Sequence, residues 1–157
     1  MKRTILGVLF FLIFSVLAYS FIHYFWGHGN VLTIRRISLE VELAHNDYLR
    51  KEGLMGRTEL DWNKGMLFIF PEENIQSFWM KNTLIPLSVA FIKNDGEIIQ
   101  ITHMQPDHFD GKLDTYSSQE KVRYALETNM GWFEKNGIQV GDVVHFSYSI
   151  KKMKGEY

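Results

Sequence analysis

Hydrophobic and polar positions change their rhythm several times along the chain, and each change marks an element. Residues 5–22 are almost uninterruptedly apolar, and His23, Tyr24, Phe25 and Trp26 follow before Gly27. The run approaches the ~20 residues that cross a bilayer as a helix, and it has no polar face that would suit a helix packed on a globular core. From Val31 to Leu43 the pattern changes to alternation. Ile37, Leu39, Val41 and Leu43 share one side, with Arg36, Ser38, Glu40 and Glu42 on the other, which predicts a strand with one wet face. Asn46 or Asp47 can cap a short helix running through Met55, weakened at Gly53.

Met66 to Phe70 is apolar at both parities, the signature of a strand covered on both faces, and Pro71 is expected to end it. Ser77 to Thr83 alternates again, Phe78 and Met80 against Trp79, Lys81 and Thr83. Two apolar runs, Leu87 to Lys93 and Glu97 to His103, flank Asn94-Asp95-Gly96 and predict a β-hairpin. Gln105 to Asp114 reads as a loop, Val122 to Thr128 as a strand, Gly131 to Asn136 as a short helix closed by Gly137, and Asp142 to Ile150 as a last strand. Six or seven short strands without a long helix between them predict a mostly β fold with two short helices. The expected form is a small closed or partly open β-barrel preceded by an N-terminal hydrophobic helix. The domain plan is a membrane anchor or signal segment at 1–26, a connector at 27–30, a β-rich domain at 31–150 and a tail at 151–157.

Charge at the start of the chain orients this plan. Lys2 and Arg3 favour a cytoplasmic N-terminus, and the aromatic residues after the apolar run suit the opposite interface. The domain is therefore expected outside the cytoplasm, periplasmic or extracellular, with the membrane as a partner through residues 5–26. Small residues at Ala18 and Ser20 leave a cleaved signal peptide and a secreted domain as the alternative. With 157 residues, one domain accommodates what remains. A formal charge of -1 gives no field to gather nucleic acid, and none is expected as a partner. The absence of cysteine excludes disulfides, thiolate metal sites and a Cys nucleophile.

A longer pattern runs through Gly53-Leu54-Met55-Gly56-Arg57, Gly65-Met66-Leu67-Phe68-Ile69-Phe70 and Ser77-Phe78-Trp79-Met80-Lys81-Asn82-Thr83-Leu84-Ile85-Pro86-Leu87. Tyr116-Ser117-Ser118 and Tyr124-Ala125-Leu126-Glu127 complete it. In this order the chain resembles the domain-of-unknown-function family 192 over roughly Val41 to Ser147. The resemblance implies a compact, exported or membrane-tethered β-barrel-like domain and no established activity. Two positions depart from the family pattern. Gly56 stands where an aromatic residue is common, and Ser88 where an Asp usually follows Ile-Pro-Leu, which removes a carboxylate from position 88.

The motif also supplies the candidate site: Arg57, Trp79, Lys81, Asn82 and Glu127, expected to line a shared ligand-binding recess. If Phe78 and Met80 point inward, Trp79 and Lys81 are displayed together, an aromatic plane beside a cation. The bland alternatives are that Trp79 covers a secondary core, that Arg57 pairs with Glu127 to hold the fold, and that the Asn82 amide ties strand ends. A hydrolytic enzyme is a second possibility, drawing on Asp107, Asp110, Asp114 and Glu127 with His108. A flat module docking an envelope protein is a third. No catalytic residue can be named, because no Gly-x-Ser-x-Gly elbow surrounds Ser117 or Ser118 and no phosphate-cradling glycine loop occurs. No cofactor or metal is assigned either: Met66 and Met80 sit in apolar strand patterns that core filling explains, although Met55, Met104, Met130, His103 and His108 offer soft-metal donors.

Overall fold

The computed structural model of the chain describes residues 30–147 and residue 150. Segment 1–26 lies outside the described residues, as does the tail 151–157, and with the former the expected N-terminal helix. Among the described residues, no helix is long and apolar enough to cross a membrane.

The described residues form β1 (Val31–Ile34), β2 (Ile37–Ala44), α1 (Asp47–Glu52), β3 (Lys64–Asn74), β4 (Ser77–Trp79), β5 (Leu87–Ile92), β6 (Ile98–Met104), β7 (Thr115–Ser117), β8 (Val122–Asn129), α2 (Trp132–Lys135) and β9 (Val144–Phe146). The alternating stretch from Val31 to Leu43 is thus two strands. Arg35 adopts φ 57°, and the chain reverses so that Ile34 pairs with Ile37 and Leu32 with Leu39. A turn made of two arginines carries none of the Gly or Asn signals that mark hairpins. The hairpin at Asn94-Asp95-Gly96 does carry them, and it joins β5 to β6 as expected.

β2 and β3 run parallel, Val41 beside Gly65 and Ala44 beside Phe68. A parallel pair needs a crossover of a dozen or more residues, and the stretch containing α1 provides it. Asn46 caps this helix, its side-chain oxygen accepting from the Leu49 N–H at 2.9 Å. Two pattern-based boundaries shift. β3 continues past Pro71 because its ladder with β8 loses register between Ile69 and Asn74, where a missing N–H is tolerated. The strand beginning at Ser77 stops at Trp79, because Met80 to Thr83 turn, with the Thr83 N–H donating to the Met80 carbonyl at 3.0 Å. The last strand is confined to Val144–Phe146.

Seven strands form one sheet in the order β6-β5-β8-β3-β2-β1-β9, and β4 pairs with β7 beside it. The two ends of the large sheet approach each other. The Val144 N–H donates to the Gly96 carbonyl at 2.8 Å, and the Ile98 N–H to the Asp142 carbonyl at 2.9 Å. The result is mostly β with two short helices, a sheet curled into a half-barrel.

Curling gives the sheet two unlike faces. The concave face gathers Leu32, Ile34, Leu39, Val41, Leu67, Ile69, Ala90, Ile92, Ile98, Tyr124, Leu126 and Val144 from all seven strands, plugged by Trp132 and Phe133 of α2. The convex face is apolar from β6 across to β2, through Ala44, Met66, Phe68, Leu87, Val89, Phe91, Met104 and Ala125. Leu54, Phe78, Met80 and Ile85 from the connecting segments cover it. Full burial of β5 and the apolar double parity of β3 follow from this arrangement, since both strands are roofed on both sides.

Candidate functional site

The roof over the convex face leaves a recess of about 280 Å³. α1 and the residues after it form one wall, Phe68 and Phe70 of β3 another, and Phe78 and Trp79 of β4 the rim, with Thr83 and Glu127 completing the lining. Local sequence explains why the walls stand so close. Gly53 ends α1 at φ +50°, and a Cβ there would lie 3.4 Å from the Phe68 ring. Gly65 lets β3 approach β8, since a Cβ at that position would lie 2.5 Å from the Glu127 carbonyl oxygen. Phe78 stands edge-on to Phe68 at 4.9 Å and to Phe91 at 5.7 Å between ring centroids, favourable geometries that fix the rim to the sheet.

Glu127 sits at the floor. β8 lies between β3 and β5, and the registers place Met66 on one side of Glu127 and Val89 on the other. Its residue is 4% exposed, and its side chain makes no hydrogen bond or ion pair with another described residue. Burial among apolar neighbours disfavours the carboxylate and pushes its pKa up to about 8. An empty recess at neutral pH therefore holds a mostly protonated carboxyl group. Chemically this group can donate one hydrogen bond, or lose its proton when a cation arrives to pair with it.

The guanidinium on the wall is already engaged. Arg50 donates to the Ile69 carbonyl at 2.7 Å and to Asp47 at 2.5 Å, and its guanidinium carbon lies 5.7 Å from the Phe70 ring centre. Lys51 and Glu52 also line the recess and offset one another in formal charge.

Of the five residues singled out from the motif, Trp79 and Glu127 line this recess, and Arg57, Lys81 and Asn82 do not. The expected Arg57–Glu127 pairing is replaced by another: both Arg57 Nη atoms donate to the Glu42 carboxylate at 2.6 Å, a bidentate pair on β2. The Arg57 hydrogen bonds hold the Glu42 pKa below its ordinary value, and Glu42 in turn raises that of Arg57. Trp79 and Lys81 are both exposed while Phe78 and Met80 are buried, as the alternation suggests, but the turn after Trp79 carries Lys81 away and buries Thr83. Asn82 acts through its backbone. It adopts φ 53°, accepts from the Gly56 N–H at 2.8 Å and donates its own N–H to Asp107 Oδ2 at 2.8 Å. Asn tolerates that left-handed conformation better than most residues, which explains its place in the motif without a ligand.

The loop carboxylates serve local turns. Asp107 accepts from the Phe109 and Asn82 N–H groups, which lower its pKa, and Asp110 accepts from the Lys112 N–H. None of Asp107, Asp110, Asp114 and His108 lines the recess that holds Glu127. Met66, Met80 and Met104 are buried in the convex-face core, and among the described residues no group of three or more His, Asp or Glu side chains is placed to hold a metal ion.

One polar chain escaped pattern reading. Ser88 Oγ lies 2.8 Å from His103 Nδ1, and His103 Nε2 lies 3.2 Å from Glu134 Oε1. These are the residue types of a nucleophilic triad, but Ser88 is fully buried and its Oγ also accepts from the Gly131 N–H at 3.2 Å. The chain fastens the start of α2 to β5 and β6. Cross-strand pairing of Ser88 with His103 was implicit in the hairpin register, and only the contribution of α2 lay beyond it.

Two solved structures share this fold. A candidate transcription regulator from Sinorhizobium meliloti 1021 is 35% identical, with a TM-score of 0.69 over 74% of this chain and 92% of its own. A protein of unknown function from Novosphingobium aromaticivorans DSM 12444 is 30% identical, with a TM-score of 0.68 over 73% of this chain and 83% of its own. No curated protein matches. The model of the domain-of-unknown-function family 192, described as an uncharacterized ACR, matches residues 30–146. The half-barrel with its roofed convex face is thus the frame of a known but uncharacterised family, and the chain belongs to the domain-of-unknown-function family 192.

Proposed function

We propose that this domain is a small-molecule binding module whose ligand enters the recess between α1, β3 and β4, and that residues 5–26 hold it on the outer side of a membrane. One observation carries the binding reading: the carboxyl group of Glu127, a residue 4% exposed and without a partner among the described residues, forms the floor of an aromatic-walled recess. Leaving a largely buried polar group unpaired costs about 1–3 kcal/mol, and a core has no need of it, because an apolar residue between Met66 and Val89 would pack without that cost. Such groups cluster where a ligand supplies the missing partner. Trp79, 44% exposed at the rim, offers the flat contact that closes over a bound ring or alkyl chain.

The tether rests on the apolar run and on the basic residues before it. The test combines both parts. A thermal-shift screen of the full chain in detergent against amines, sugars, nucleotides and peptidoglycan fragments is expected to give a hit that Trp79→Ala weakens, since a ligand of the folded state raises the midpoint by mass action. Protease added to intact cells is expected to digest the domain. A silent panel would sink the binding reading, and protection in intact cells would sink the location.

A further inference from the structure

Resting on that reading, we infer that the recess selects an organic cation, its ammonium or comparable group seated against Glu127 and its apolar body against Phe68, Phe78 and Trp79. The lining decides against the other ligand charges. An anion would have to draw Arg50 away from Asp47 and the Ile69 carbonyl, and the remaining lining cation, Lys51 on α1, is offset in formal charge by Glu52 beside it. A sugar would need several donors and acceptors around its hydroxyls. The floor offers a single carboxyl group among phenyl rings, and of the hydroxyls, Ser77 bonds to Ser117 at 2.8 Å while Thr83 leans on the Lys81 carbonyl at 3.4 Å. A cation matches what remains: a carboxyl group without a counter-charge, and ring faces whose quadrupoles attract positive charge.

Binding and protonation are then linked. The empty recess holds Glu127 mostly protonated below pH 8, because burial raises its pKa to about 8, and the incoming cation pairs with the carboxylate as the proton leaves to solvent. The other charged groups facing the recess, Asp47, Arg50, Lys51 and Glu52, all come from α1, and β3, β4 and the Thr83 turn bring none. Glu127 is the charged group that the cation meets at the floor.

The probe is benzyltrimethylammonium, which has no proton to lose, so any pH dependence belongs to the protein. Calorimetric titration of the full chain in detergent is expected to show affinity rising about tenfold per pH unit from pH 6 to 7 and flattening near pH 8, with a proton released on binding. Glu127→Gln, which keeps the shape of the side chain, is expected to lose at least about tenfold in affinity at pH 8 and to abolish the pH slope. The neutral probe neopentylbenzene, the same shape without charge, is expected to bind at least about tenfold more weakly. Equal binding of the neutral probe, or a pH slope retained in Glu127→Gln, overturns the cation and leaves the recess as a binding site. Failure of both probes, with silence across the wider panel, overturns both.

Discussion

The concave and convex faces of the sheet are built from the same strands and obey different rules. Leu126 and Glu127 are consecutive on β8. Leu126 enters the concave core, which all seven strands and α2 close; Glu127 points to the convex face, where a short helix and a strand of three residues make a roof with a gap. Even the polar groups differ. Ser88, buried at the end of the concave side, has its hydroxyl tied to His103 and to the Gly131 N–H, whereas Glu127 has no partner among the described residues. The faces differ in closure more than in polar satisfaction, since Trp132 Nε1 in the concave core is also buried without a hydrogen-bond partner among those residues; the convex face sets its unpaired carboxyl group at the floor of a recess.

The largest expected effect breaks the closed face. Leu126→Ala removes a fully buried side chain from the concave core and is expected to lower unfolding stability by about 2–5 kcal/mol, measured by urea denaturation. The neighbouring position should move the other way. Glu127 has a folded-state pKa of about 8 against an ordinary 4.5, so between those values the folded state binds more protons than the unfolded one. Stability is then greatest below pH 4.5 with respect to this group and is lost as pH rises through 8, by up to about 5 kcal/mol at about 1.4 kcal/mol per unit. Glu127→Gln is expected to flatten this decline and to leave the domain more stable than the parent at pH 8. A parent whose stability is flat between pH 5 and 8 would mean that Glu127 is paired or hydrated.

A smaller effect sharpens the contrast between partnered and unpartnered burial. Ser88→Ala strands the Gly131 N–H and the Nδ1 atom of His103, and a loss of about 1–3 kcal/mol is expected, with raised hydrogen exchange at the start of α2. No loss would show that water takes over both bonds.

The two faces were unequally legible in the sequence. Wherever side chains alternate or run apolar at both parities, burial is a direct consequence of strand geometry, and β2, β3, β5 and β8 could be read in that way. The β5–β6 turn was legible because Asp-Gly chemistry announces it; the Arg35-Arg36 turn was not, because a tertiary pairing imposes φ 57° on a residue that gives no sign of it. The parallel β2–β3 pair was hidden by the shortness of α1. In the candidate site, Trp79 and Glu127 stood out as motif residues at odds with apolar parity. Their meeting depends on the register of β8 between β3 and β5 and on the fold of the roof, which no local pattern encodes. Arg57 was conspicuous for the same reason and found a different carboxylate, since a bidentate donor records only that some acid lies within reach.

That pair gives the smallest predicted effect and the opposite pH sign. Glu42 is held below its ordinary pKa of 4.5 by the Arg57 hydrogen bonds, so its contribution is present above the unfolded value and is lost as pH falls through the folded one. The side chains are 34% and 53% exposed, and solvent screening limits such a pair to about 0.2–1 kcal/mol even with bidentate geometry. Arg57→Ala is therefore expected to cost under about 1 kcal/mol at pH 7, less in 1 M salt, and progressively less as pH falls below 4.5 through the lowered folded-state pKa of Glu42. Melting curves of the parent, Arg57→Ala and Glu127→Gln from pH 3 to 8 separate the two carboxyl groups. The arginine variant should differ from the parent on the neutral side of the acid limb, the glutamine variant only as pH climbs toward 8. A loss of ligand affinity in Arg57→Ala as large as that in Trp79→Ala would contradict the division drawn between them, because it would place the β2 ion pair in contact with a recess it does not line.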